Sequence, residues 1–303
     1  MVYRLSLIYV TFTLRTDVLT TFKINPHMKT ALLLTFVFVS FLSYAQPAKG
    51  DSWTKVKTDG AGTLAILYNQ TPGLIYRQPD GSVKGVCVDI LTDFQKFVQD
   101  KYNKKVSITY GEEADFPAFL ARVQQSDNLL GVTNTSITEE RKKVMKFTPV
   151  FMNNQVFLLT HQSVPTIRKM SEMPVAFKGF KAQVISGSTH ALEVEKIKKD
   201  HFPELQIEHI PSGDAIIKNL STNKQLFSVI DFTEFIGVVK NRTPVKKHDV
   251  VIGTPEPLGF VMSKRSDWDQ VWNEFLTLEY RKSVRYKEII ANNLGQSFIK
   301  LVQ

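Results

Sequence analysis

The chain has 303 residues, enough for two domains of ordinary size, and its 43% hydrophobic, 22% charged and 11% aromatic content excludes a disordered polymer. The formal net charge of +9 is scattered in pairs such as Lys104 with Lys105 and Lys246 with Lys247; without a basic block or interleaved aromatics it argues against a nucleic-acid surface. A single cysteine, Cys87, rules out an intramolecular disulfide.

Residues 1–45 read as a leader. Met28 and Lys29, the apolar run 31–41 and the small residues around Ser43 and Ala45 follow the order of a secretory signal peptide, with Met28 as the start and cleavage near Ala45. The run is short for a membrane span, and no cysteine follows it that could carry a lipid anchor. The expected product is soluble and exported. Arg4, Arg15, Lys23 and Lys29 against Asp17 place +3 of the formal charge in the leader and leave +6 beyond it, a mild excess compatible with an anionic or zwitterionic ligand.

After a polar linker at 46–61, residues 63–68 read as a strand, 78–81 as a turn and 86–88 as a second short strand. From Asp89 the period changes: Leu91, Phe94 and Val98 at i, i+3 and i+7 predict a helix to about Lys101. A strand follows at 106–110, then a helix capped by Asp115 and opened by Pro117, with Phe119, Leu120 and Val123 facing inward. Leu129, Leu130 and Val132 form a buried strand, and the polar turn Thr133, Asn134, Thr135, Ser136 stands at its carboxyl end, where open α/β sheets hold ligands. Ser136 and Glu139 have capping-box spacing, so a helix is expected from near Ile137, with Arg141 one turn in. Ser136 then serves either as a cap or as a ligand contact.

Residues 147–159 read as extended and 161–173 as a polar crossover. A second unit begins with a strand at 181–185, a helix-opening turn at 186–189 and a helix marked by Ala191, Val194 and Ile197. A strand at 205–210, a helix from Ser212 and a buried strand at 226–230 ending at Asp231 complete it. Residues 250–261, with Pro255 and Pro257, read as a return linker and strand. Ser266 then caps a helix whose Trp268, Val271, Trp272, Phe275 and Leu276 form one core-facing stripe, and a last helix at 286–293 ends at Gly295. Alternating strands and helices predict an α/β fold with two lobes of helix-covered, mostly parallel sheet: 62–160 with 254–303 as lobe 1, and 161–253 as lobe 2.

Catalytic signatures are absent. There is no phosphate loop, no dinucleotide glycine fingerprint and no nucleophile elbow, and His161, His190, His201, His209 and His248 show no ligand spacing, which gives them structural or surface roles. Cys87 reads as a small buried hydrophobe. Three features remain: Arg141 past one strand end, Asp231 at another, and the turn of Gly187, Ser188 and Thr189 that opens a helix. Arg offers a planar fork of donors for a carboxylate, a helix start adds N–H groups, and an acid opposite them suits the ammonium of a zwitterion.

At these residues the chain resembles the family 3 extracellular solute-binding proteins, the type II periplasmic amino-acid receptors of ABC importers. The family's strand, Ser/Thr-rich turn and SITEER-like segment is TNTSITEER here, followed by Phe147 and Pro149, and its GFDVDL segment is matched by residues 85–90. The resemblance implies a two-lobed fold with two hinge crossovers. It gives Arg141 the ligand α-carboxylate, with Ser136, Asn134 and Thr133 as further polar contacts. Ser188 and Thr189 fall on the family's second-lobe turn, Asp231 on its ammonium-binding acid, and Phe116 on an aromatic that stacks on the ligand. The first-strand loop from Tyr68 to Thr71 departs from the family pattern, with Tyr68 as its candidate contact. The resemblance implies a periplasmic monomer whose partners are an amino acid and a membrane permease, and no cofactor is implied. Because a cyclohexadienyl dehydratase is similar to this family, an enzyme on the same scaffold is the second expectation, with Glu112 and Glu113 as its candidate acids; a sensory or degenerate receptor without a permease is the third.

Overall fold

The computed structural model describes residues 49–302, with side chains to residue 300; the leader expected at 1–45, with Met28 and the cleavage position near Ala45, lies outside them. The stretch expected as a polar linker instead carries helix α1 (Trp53–Asp59). Its two apolar residues, Trp53 and Val56, stand three apart, share one face and are buried in the core. The carboxylate of Asp267 accepts the N–H groups of Trp53 and Thr54 at 2.7 and 2.8 Å, so a residue far along the chain closes the helix start.

The first lobe runs through β1 (Ala61–Tyr68), the hairpin β2 (Tyr76–Arg77) and β3 (Val83–Lys84), α2 (Val86–Tyr102), β4 (Lys105–Glu112), α3 (Phe116–Gln125), β5 (Leu129–Val132), α4 (Glu139–Val144) and β6 (Met145–Phe147). Residues 86–88, expected as a strand, are the first turn of α2. The break comes at Gly85, whose φ of 126° no side chain adopts comfortably and whose added Cβ would lie 2.3 Å from the Leu74 carbonyl oxygen. Cys87 is fully buried, as expected, on a helix rather than a strand.

The chain then passes through β7 (Met152–Asn154) into β8 (Val156–His161), β9 (Lys181–Ile185), α5 (Thr189–His201), β10 (Gln206–Ile210), α6 (Gly213–Thr222), β11 (Leu226–Asp231), α7 (Phe232–Lys240) and β12 (Val245–Lys247). It returns through β13 (Glu256–Leu258) to β14 (Val261–Ser263), α8 (Asp269–Phe275) and α9 (Val284–Asn293).

The two sheets have the same plan. The first is ordered β4-β1-β5-β14-β6 and the second β10-β9-β11-β8-β12. In each, one strand runs against the rest: β14 is antiparallel to β5 and β6, and β8 to β11 and β12. These are the two strands that arrive from the other lobe. The crossovers themselves, β7 and β13, pair antiparallel with Asn154 opposite Glu256, a two-stranded hinge between the lobes. This places the first crossover at 152–154, not at 161–173, and transfers β8 to the second sheet. Residues of 161–173 instead pack on that sheet's core through Val164, Ile167 and Met173.

Helices cover both faces of each sheet, as near-continuous apolar strands require. In the first lobe the stripe on α8 is core: Trp272 stacks on Phe94 at 3.9 Å and Trp268 is 1% exposed. Helix α7 was not among the expected elements: it follows β11 without a break, and Phe232, Thr233 and Glu234 in its first turn are all buried, so no exposed turn marks its start.

Candidate functional site

Strand and helix ends of both lobes converge between them. They line a cavity with Asn69, Thr71, Phe116, Asn134, Ser136, Arg141, Ile185, Ser188, Thr189, His190, Gly213, Asp231 and Glu234. The free space between these side chains is about 20 Å³, room for roughly one water molecule. The lobes are closed on their own polar groups, and any larger ligand has to exchange with them.

Arg141 sits on α4, which starts two residues later than expected. Thr138, not Ser136, is its N-cap and accepts the Arg141 N–H. The cause is tertiary: Ile137 N–H donates to the Pro257 carbonyl at 2.8 Å and Ser136 bridges Leu258, so residues 136–137 stay extended along β13 and the helix cannot begin there. The guanidinium donates to the Ser136 carbonyl at 2.9 Å and, across the cleft, to the Gly187 carbonyl at 3.0 Å. Its carbon lies 5.6 Å from the centre of the Phe116 ring, within cation–π reach. Burial lowers the Arg141 pKa, while the carboxylates of Glu256 and Asp231 oppose the shift. Thr138→Ala is expected to cost about 1 kcal/mol in urea unfolding and leave ligand affinity unchanged, whereas Ser136→Ala should weaken affinity with little effect on unfolding.

Ser136 hydroxyl donates to Glu256 Oε2, and Thr189 Oγ1 donates to the same oxygen at 2.8 Å. A carboxylate of the return strand thus sits on a hydroxyl from each lobe, facing Arg141. Ser188 Oγ lines the same cavity, buried and without a hydrogen-bond partner among the described residues.

Asp231 ends β11, caps α7 by position and is 2% exposed. It accepts the side-chain amides of Asn134 and Asn154, and His190 Nε2 stands 3.3 Å from Oδ1. Two amide donors and the imidazole crowd this carboxylate, and the His190 nitrogens themselves make no hydrogen bond among the described residues. His190, expected in a structural or surface role, is instead 4% exposed inside the cleft. Burial pushes its pKa down, but the carboxylates of Asp231 and Glu256 outweigh that and Arg141, and the net shift is upward from 6.5. An imidazole held above its unfolded value stabilises the fold fully below pH 6.5 and loses that contribution as pH rises through the folded value. The stability difference between the wild type and His190→Gln should therefore be largest below pH 6.5 and shrink above it, as read from thermal unfolding across pH.

Two expected contacts lie elsewhere. Tyr68 is fully buried in the first-lobe core and its hydroxyl donates to Glu112 at 2.9 Å, burial and that carboxylate pushing its pKa to about 12. Thr133 is also fully buried and bonds Thr71 Oγ1 at 2.8 Å and Asn134 Oδ1 at 3.0 Å, so it orients Asn134 rather than lining the cleft. The acids expected for an enzyme are likewise not among the lining residues: Glu112 is held by Tyr68, Gln70 and Arg77, and Glu113 by Arg122.

The profile of the bacterial extracellular solute-binding proteins, family 3, matches residues 64–296. The chain belongs to that family. No curated protein matches the sequence, but solved structures share the fold. An ancestral arginine-binding protein bound to arginine is 22% identical, with a TM-score of 0.62 over 77% of this chain and 98% of its own. The ancestral amino-acid-binding protein AncCDT-1, a precursor of cyclohexadienyl dehydratase, is 19% identical, with 0.62 over 80% and 98%. The GluR0 ligand-binding core from Nostoc punctiforme, in complex with L-glutamate, is 17% identical, with 0.61 over 77% and 99%. This family 3 member thus has the two-lobed type II periplasmic-binding fold, and among its described residues no helix is long and apolar enough to cross a membrane.

Sequence reasoning missed His190, Glu234 and Glu256 in this family 3 cleft. His190 follows Ser188 and Thr189 in one helix-opening turn, a signal that was available. Asp231 and Glu234 have capping-box spacing, a pattern the structure does not use, since no side chain caps α7. Glu256 had no local signal.

Proposed function

We propose that the chain captures a free amino acid, or a similar small zwitterion, between its lobes and delivers it to the permease of an ABC importer after export through a signal peptide cleaved near Ala45. The supporting observation is one cleft with opposite charge at its two ends. Arg141 stands by the hydroxyls of Ser136 and Thr189, which already hold a carboxylate of the chain itself, and Asp231 stands among two amide donors and the His190 ring. A ligand carboxylate would replace Glu256 on those hydroxyls and take two donors of the Arg141 fork, with Ser188 Oγ beside it. The ligand ammonium would replace a donor on Asp231, and Phe116 would cover the side chain. Family membership and the amino-acid ligands of the structural neighbours agree with this reading.

Because such a ligand binds only the folded protein, thermal-shift screening against the common amino acids tests it. A matching ligand at a hundred times its Kd should add about 2.7 kcal/mol to stability and raise Tm by several degrees. A flat response to all of them would remove the reading.

A further inference from the structure

Glu234 is the acid in the cleft that the reading above leaves unused. It lies in the first turn of α7, is 5% exposed and lines the cavity beside Gly213, Asp231, Asn69 and Thr71. Among the described residues, no hydrogen bond or ion pair reaches its carboxyl. Gly213 makes room for it: a Cβ there would lie 2.6 Å from Oε1. An acid buried in a core is normally satisfied, because an unpartnered polar group out of water costs about 1–3 kcal/mol and more when charged. A carboxyl kept buried, unpaired and open to a cavity points to a partner that arrives from outside.

The charges around it indicate which partner. The groups that act on Glu234 are Asp214 from α6 and Asp231 from the end of β11, both acids, and with burial they hold its pKa well above 4.5. From α5 the facing group is His190, which lies against Asp231. Glu234 therefore sits in a negative field with no cation of its own. A neutral ligand end would leave that field uncompensated, and an acidic one would be repelled by it.

We propose that Glu234 is a specificity-determining residue that receives the cationic end of a basic amino acid's side chain, while Arg141 holds the same ligand's carboxylate. This rests on the amino-acid reading of the cleft. The ammonium or guanidinium gains a buried charge pair, and Glu234 gives up its proton to solvent as the cation arrives, so the charge of the closed cleft stays unchanged. Affinity for the cation should accordingly rise with pH until Glu234 ionises without ligand.

The test is calorimetric titration of the wild type and Glu234→Gln with L-lysine and L-norleucine, and with L-arginine and L-citrulline, which differ in side-chain charge. The wild type should prefer each cation by roughly thirtyfold or more, and the variant should lose that preference while keeping its affinity for the neutral partner. On the wild type alone, lysine titrated in two buffers of different ionisation heat should release close to one proton below the pH at which Glu234 ionises. That second measurement stands even if the variant fails to fold. Binding of amino acids without preference for the cations, or without proton release, would overturn the role of Glu234 and leave the amino-acid reading intact. Failure of all four amino acids, together with a flat thermal-shift screen, would overturn the reading itself.

Discussion

Arg141→Ala is expected to weaken binding of the cognate amino acid by roughly 3–5 kcal/mol, a hundredfold or more in Kd, as seen by calorimetric titration. The loss is the charge pair with the ligand carboxylate, which in a closed cleft is largely desolvated, so removing one partner leaves the other buried and uncompensated. The bond from the guanidinium to the Gly187 carbonyl is one the ligand displaces, so its removal does not add to that loss. Arg141→Lys separates charge from geometry. A lysine keeps the charge but not the planar fork, so it should recover part of the affinity without bidentate geometry. Unchanged affinity in Arg141→Ala would remove Arg141 from the carboxylate seat.

Asp231→Asn should be comparably damaging, and selectively so. The carboxylate accepts from Asn134 and Asn154 and lies 3.3 Å from His190 Nε2, all within a site 2% exposed. Asparagine turns one acceptor oxygen into a donor facing those amides and removes the charge beside His190, with a loss of about 3 kcal/mol in thermal or chemical unfolding. For ligands, the variant should lose far more affinity for an amino acid than for its 2-oxo acid analogue, which has no ammonium to place. Equal loss for both would argue that Asp231 only organises the cleft. The raised pKa of His190 links the two effects: Asp231→Asn should also return the His190 titration toward or below its ordinary value.

The seats proposed for the ligand compete with contacts the protein makes with itself. Glu256 on the hydroxyls of Ser136 and Thr189, Asn134 on Asp231 and Arg141 on Gly187 each join residues of the two lobes or the hinge. The closed form is thus held by polar groups that a zwitterion can replace one for one. A ligand gains affinity only from the difference between its own contacts and those it displaces.

Much of this protein was legible along the chain. The period-2 and period-3.6 patterns placed β1, β4, β5, β9 and β11 and the helices between them, and strand alternation with helices implied two α/β units, because such patterns report only which face of each element is buried. Arg141, on the helix that follows β5, and Asp231, at the carboxyl end of β11, were singled out because the segments past such strand ends face the cleft, and both line the cavity. Tertiary structure decided the rest. The pairing of β7 with β13 joins residues about a hundred positions apart, and it moved the first crossover, held residues 136–137 extended, shifted the start of α4 to Thr138 and laid Glu256 on Ser136. No local pattern carries such a contact, since capping and periodicity reach only one or two turns. The same limit hid the filling of the cleft by His190 and Glu234. Whether a buried histidine or acid is paired, satisfied or waiting for a ligand depends on side chains that different segments bring to one point.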